Sequence, residues 1–239
     1  AATGSMTNAA DKNTGVGAWA LNDLTTGDNN TGVGYDALAK LTEAVECVAI
    51  GAASCDALTT GIKNTGVGAN TLSTATTALY NTAVGFNAMA DVKAGVAVDG
   101  CVAIGYEALK GNSSNTTGIN NTVAVGDSAL KALTTGDGNV AVGYNALLTN
   151  VDGGYNTAVG YESLYTFEAD SSNHGDNTAI GYRAGKFIST GTDNLFVGSR
   201  AGQGVDGTEL TGDFNTAIGK SAGTLLQGAA HENTFVGHL

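Results

Sequence analysis

The chain has 239 residues, of which 42% are hydrophobic and 13% charged, with 36 glycines, no proline and a formal net charge of −12. This balance excludes a phosphate-backbone or nucleic-acid binder, which needs clustered Lys and Arg, and the apolar share excludes a flexible Gly-rich linker. No apolar run approaches the roughly 18 residues of a spanning helix, so no membrane insertion is expected, and the opening AATGSMTNAA lacks the basic and apolar regions of a signal peptide.

Residues 1–12 read as a lead-in segment. The first motif met beyond them is NNTGVGYDAL, residues 29–38, whose Gly32-x-Gly34-x-x-Ala37 fits a dinucleotide-binding turn. That reading fails because the motif recurs. A glycine preceded by Val or Ile stands at 17, 34, 51, 68, 85, 105, 126, 143, 160, 181, 198, 219 and 237, a base period of 17 residues over thirteen copies. An internal repeat of this kind outranks any local motif, and 17 residues are too few for the roughly 30-residue βαβ unit that holds such a cofactor.

Each copy follows the same order. Asn stands four before the glycine in ten copies, replaced by Cys47, Cys101 and Thr122 in the others. Ala or Gly stands two before it in eleven, with Phe196 and Phe235 the exceptions. N-T-A-V-G alternates with period two and predicts a short strand, with Thr and Val on one face and Asn, Ala and Gly on the other. A small residue follows three after the glycine, then Leu, Met or Cys at four, becoming Gly185, Gly202 and Gly223 in three late copies. A further apolar residue is frequent at seven, as in Leu24, Leu41, Leu133, Phe167 and Ile188, and T-T-G-D-N or a relative then turns the chain. A unit this short cannot bury its own apolar face, so the units must stack. The expected fold is all-β, a parallel β-solenoid or β-roll of about thirteen 17-residue coils spanning residues 13–239. The Asn column predicts either a side-chain ladder along the stack or a residue that tolerates unusual backbone angles after a turn.

NTAVGFNAM, CVAIGYEAL, NTAVGYESL and NTAIGYRAG resemble the head repeats of YadA-like trimeric autotransporter adhesins. They are more similar still to the NTAxGxxAL and NTFxGxxAG repeats of tailed-phage tail-fibre proteins. The resemblance covers nearly the whole chain. It implies a left-handed roll, three chains around one axis, and an attachment role on a virion surface or, as the alternative, on the outside of a bacterium. The coil here is longer than the adhesin-head coil, and nothing matches an autotransporter neck, stalk or anchor. The chain stops two residues past a repeat glycine, which is expected of a segment of a longer chain.

Candidate sites are few. Cys47, Cys55 and Cys101 stand in the Asn and Leu columns without C-x-x-C spacing, and read as core filler. His174, His231 and His238 form no recognisable triad, and with no paired carboxylates in a fixed column no enzyme is expected. The turn acids Asp28, Asp137, Asp152, Asp176, Asp193, Asp206 and Asp213 hold no common column, so solvated turns are preferred over structural calcium, and no cofactor is expected. Tyr35, Phe86, Tyr106, Tyr144, Tyr161 and Tyr182 directly follow the glycine; a packing ladder is preferred to stacking on sugars. Four coils carry insertions, which in a solenoid form loops. The one between Tyr161 and Gly181 is richest in recognition-type side chains, and Tyr165, Phe167 and His174 are its expected receptor contacts. The function expected is that of a homotrimeric fibre segment displaying loops to a host glycan or protein receptor. A bacterial adhesin head and a capsid decoration or cement protein are the alternatives.

Overall fold

The computed structural model describes residues 10–96, 98–112, 116–169 and 174–238. It contains one three-residue strand per repeat: β1 Thr14–Val16, β2 Thr31–Val33, β3 Val48–Ile50, β4 Thr65–Val67, β5 Thr82–Val84, β6 Val102–Ile104, β7 Val123–Val125, β8 Val140–Val142, β9 Thr157–Val159, β10 Thr178–Ile180, β11 Leu195–Val197, β12 Thr216–Ile218 and β13 Thr234–Val236. Among the described residues there is no helix. The coils fall into two compact units, Ala1–Asn121 and Thr122–Leu239. In the first, β1 to β6 pair in parallel in chain order; in the second, β7 to β13 do the same. The register aligns the repeat columns, as in Thr31↔Val48 and Ala179↔Phe196. The fold is an all-β parallel β-solenoid.

The interior is built from the columns. Ala49, Ala83, Ala103, Ala141, Ala158 and Ala179, two before the glycine, are fully buried, as are Leu38, Leu72, Leu130 and Leu147 at the Leu column and Leu41, Leu58 and Leu133 beyond it. The small-residue face therefore lies inside the coil. Two late coils reach the same filling by a different route. Phe196 is fully buried where other coils place Ala, and a Cβ on Gly202 would sit 2.2 Å from its ring. Gly223 would meet Phe235 at 3.1 Å. The interior volume given up at the Leu column is taken by Phe from the strand, which preserves close packing.

The invariant glycine has a steric cause. Its φ lies between +123° and +142°, closed to L side chains. A Cβ at Gly34 or Gly143 would also come within 2.4 Å of the carbonyl oxygen of the next repeat glycine. Coils stack through this contact, so any side chain here would push them apart.

Three further positions per coil take left-handed backbone. They are the residue before the Asn column (Lys63, Tyr80, Asp193), the second after the glycine (Asp36, Glu162, Arg200) and the Leu column itself (Leu38, Met89, Leu164), the non-glycine residues among them having φ from 48° to 61°. For a non-glycine residue that conformation costs about 1–2 kcal/mol. It is held by hydrogen bonds that run from coil to coil, such as Leu38 N to Ser54 O at 3.0 Å and Lys63 N to Val45 O at 3.0 Å. Thr hydroxyls extend the same pattern, with Thr25, Thr42 and Thr59 each donating to the backbone oxygen of the Thr one coil on.

The Asn column is a ladder. Asn177 accepts the backbone N–H of Asn194 at 3.0 Å through Oδ1, accepts the side-chain N–H of Asn194 at 3.0 Å, and donates its own Nδ2 to Gly191 O at 2.8 Å. The Asn residues of this column are absent from the left-handed positions. Of the two sequence readings, the ladder holds, and the unusual backbone angle belongs to the residue before.

Candidate functional site

The outward face of the sheet carries the other half of the alternation. Ile50, Ile104, Ile180 and Ile218 in the column before the glycine are 39–43% exposed, and the aromatic residues after it are exposed in both units. The aromatics also stack, as a packing ladder would: Phe86 on Tyr106 with ring centroids 5.8 Å apart, Tyr144 on Tyr161 at 5.1 Å and Tyr161 on Tyr182 at 5.5 Å. Half-open stacks of this kind leave one edge to solvent while the faces are shared between coils.

In the second unit this ladder is bordered by cations. Glu162, Arg183 and Arg200 occupy the same column, two after their glycines, so residues 17 and 21 apart in sequence become neighbours on successive coils. Glu162 Oε2 accepts Arg183 Nε at 2.8 Å and Lys186 Nζ at 2.7 Å. Burial alone would raise the Glu162 pKa; the hydrogen bond and charge of Lys186, with Arg183 behind it, outweigh that and hold it below the usual value. The Arg183 guanidinium lies 5.0 Å from the Tyr182 ring centre and 5.9 Å from that of Tyr161, and Arg200 lies 5.9 Å from Tyr182, within cation–π range. Beside Arg200 an open groove of about 350 Å³ is lined by Gln203, Ser221, Thr224 and Leu225.

The fold does not present the three residues expected to meet a receptor on one surface: they differ in burial. Tyr165 is half-buried, with Lys186 Nζ 5.2 Å from its ring centre. His174 is exposed. Phe167 is a core side chain at 0% exposure, filling the interior position that Leu41 and Leu133 fill elsewhere, and it offers no ring to a ligand. Its place in the apolar column seven after the glycine was the sequence signal for this. Residues 170–173 of that insertion lie outside the described residues.

The cysteines are interior. All three are buried and none is in a disulfide. Burial pushes the Cys55 thiol up to about 12 and raises Cys47 as well, which keeps them protonated and unreactive at neutral pH. Cys47 Sγ sits 3.4 Å from Gly61 O, the kind of acceptor an Asn amide uses in other coils. Several turn acids accept hydrogen bonds from the neighbouring coil: Asp28 from Asp11 N, Asp152 from Thr135 Oγ1 and Asp213 from Thr192 N. Among the described residues no three His, Cys, Asp or Glu side chains gather as a metal site would require, and no helix is long and apolar enough to cross a membrane. Tyr182, Arg183 and Arg200, which sequence reasoning did not join, are brought together by the stacking of successive coils.

No known protein family, curated protein or solved structure matches the chain.

Proposed function

We propose that this chain is a structural and attachment protein, a repeat segment of a homotrimeric phage tail fibre or virion surface fibre that displays receptor-binding side chains to a host surface. One observation carries the reading. The solenoid closes its own interior, yet coil after coil turns a β-branched side chain outward, with Ile50, Ile104, Ile180 and Ile218 about two-fifths exposed. An apolar file repeated in register is suited to sister chains packed along it, which would cover surface that otherwise invites disordered association. The protein then works by rigid display rather than by chemistry. A bacterial adhesin head would use the same seam.

Light scattering on the purified chain tests this. A mass three times 23.7 kDa is expected, falling to the single-chain value in Ile50→Asp/Ile180→Asp. A monomer at high concentration would contradict the trimeric fibre and favour a capsid decoration role.

A further inference from the structure

Resting on the attachment reading above, we propose that the surface formed by Tyr161, Tyr182, Arg183, Arg200 and Gln203 binds a carboxylate-bearing saccharide, a uronic or sialic acid unit of a surface glycan.

Four observations converge there. Tyr161 and Tyr182 are 41% and 40% exposed and stacked at 22°, giving a continuous aromatic edge in steps of 5.5 Å, the kind of surface on which the apolar faces of pyranose rings rest. Both arginines of the chain, Arg183 and Arg200, border this edge, although the chain as a whole carries −12. Arg183 is held by Glu162, whereas Arg200 is exposed and makes no ion pair among the described residues. Its planar fork of donors is matched to a carboxylate. The adjoining groove adds Gln203, Ser221 and Thr224, side chains that exchange hydrogen bonds with sugar hydroxyls, in a volume of about 350 Å³, at the small end of ligand sites. Local charge among Glu162, Arg183, Lys186 and Arg200 is positive, but three cations are too few for a polyanionic phosphate backbone. One acidic group presented on a neutral ring fits better.

The columns supply variants that the fold already accommodates. Ala18, Ala52 and Ala69 occupy the position of Tyr182, and Ser128 and Ser221 that of Arg200. Binding of tetragalacturonate, 3′-sialyllactose and a hyaluronan tetrasaccharide to the full chain would be measured by NMR titration, with methyl-esterified tetragalacturonate as the uncharged control and oligoglutamate as an acidic peptide. At least one of the acidic saccharides is expected to bind at least tenfold more tightly than the uncharged ester and the peptide. Arg200→Ser and Tyr182→Ala are each expected to weaken it at least tenfold, with the fold retained by circular dichroism and the melting temperature lowered only modestly, more for Tyr182→Ala, which also loses a ring stack. Equal binding of acid and ester, equal binding of oligoglutamate, indifference to both variants, or no binding by any of the three saccharides would overturn the assignment. Light scattering on the same samples separates the two proposals: a trimer that binds none of them keeps the fibre and loses the site, and a monomer that binds keeps the site and loses the fibre.

Discussion

The Asn ladder runs unbroken through six of the seven coils of the second unit, from Asn139 to Asn233, with Thr122 in place of Asn only at its first coil, and is cut twice in the first unit, at Cys47 and Cys101. Each cysteine still donates its backbone N–H to the Asn one coil earlier, at 2.9 Å for both, but has no amide oxygen to offer the coil that follows. The second unit differs inside as well, exchanging Leu for Gly at 185, 202 and 223 and Ala for Phe at 196 and 235. Yet the repeat glycines keep one φ range in both units and the strands one register. The comparison separates two layers of the design. Glycine and interior volume set the coil, and can be met by more than one side-chain set. The amide ladder is added to that coil, and can be interrupted without changing its path.

The first way to break the comparison is to strike what both units share. Gly34→Ala and Gly143→Ala each place a methyl 2.4 Å from the next coil's carbonyl oxygen, at φ of +139° and +141°. Each is expected to cost more than about 4 kcal/mol, by equal amounts in the two units, read from denaturant unfolding. A loss under 1 kcal/mol in either would sink the stacking account.

Phe196→Ala comes next, with about 3–5 kcal/mol for the emptied interior. Gly202→Leu restores side-chain volume at a backbone angle, φ 52°, that Leu38 already adopts at 53°. Alone it collides with the Phe196 ring; combined with Phe196→Ala it is expected to recover at least 1 kcal/mol, within the usual range for coupled neighbours. Strict additivity of the two would mean that the exchange of volume is accidental.

The ladder itself is sharpened by a reciprocal pair. Asn177→Ala removes the acceptor of Asn194 N and the donor to Gly191 O, and should cost about 1–3 kcal/mol. Cys47→Asn should join the two broken runs of the first unit and add about 0.5–1.5 kcal/mol. If Cys47→Asn destabilises, the amide is not what the column selects.

The smallest effect is electrostatic and confined to the second unit. The Glu162 pKa is lowered in the folded chain, so its stabilisation is present above the unfolded value of about 4.3 and is lost as pH falls through the folded value. Glu162→Gln should therefore be destabilised at pH 7 by about 1 kcal/mol at most, its carboxylate being only partly exposed, and the difference should close on acidification. A difference that persists at low pH would assign it to packing.

Most of the coil was legible in the sequence because its constraints act on side-chain type at a fixed period. Small, apolar and Asn columns are written once per 17 residues, and the cysteines declare themselves as filler by standing in those columns. The left-handed positions were not legible: Trp19, Lys63, Tyr80 and Leu164 share a backbone angle, with no side-chain property in common. Pairwise exchange was legible only in hindsight, since Phe196 and Gly202 each look like a lone exception until the fold brings them together. The Tyr182–Arg183–Arg200 grouping was hidden because an insertion separates Glu162 from Arg183 by 21 residues, although the column count places them side by side. Phe167 shows the converse error, a recognition-type residue in an insertion that the same column count assigns to the core.

Hydrogen exchange resolved to single amides tests the central claim most directly. If the ladder is a layer added to a common coil, the ladder N–H groups of Asn156, Asn177, Asn194 and Asn215 will be the most protected of their column. The coils on either side of Cys47 and Cys101 will open at lower free energy while keeping the same strands. Equal protection in both units, or greater protection beside the cysteines, would contradict it and leave the Asn column without an energetic role.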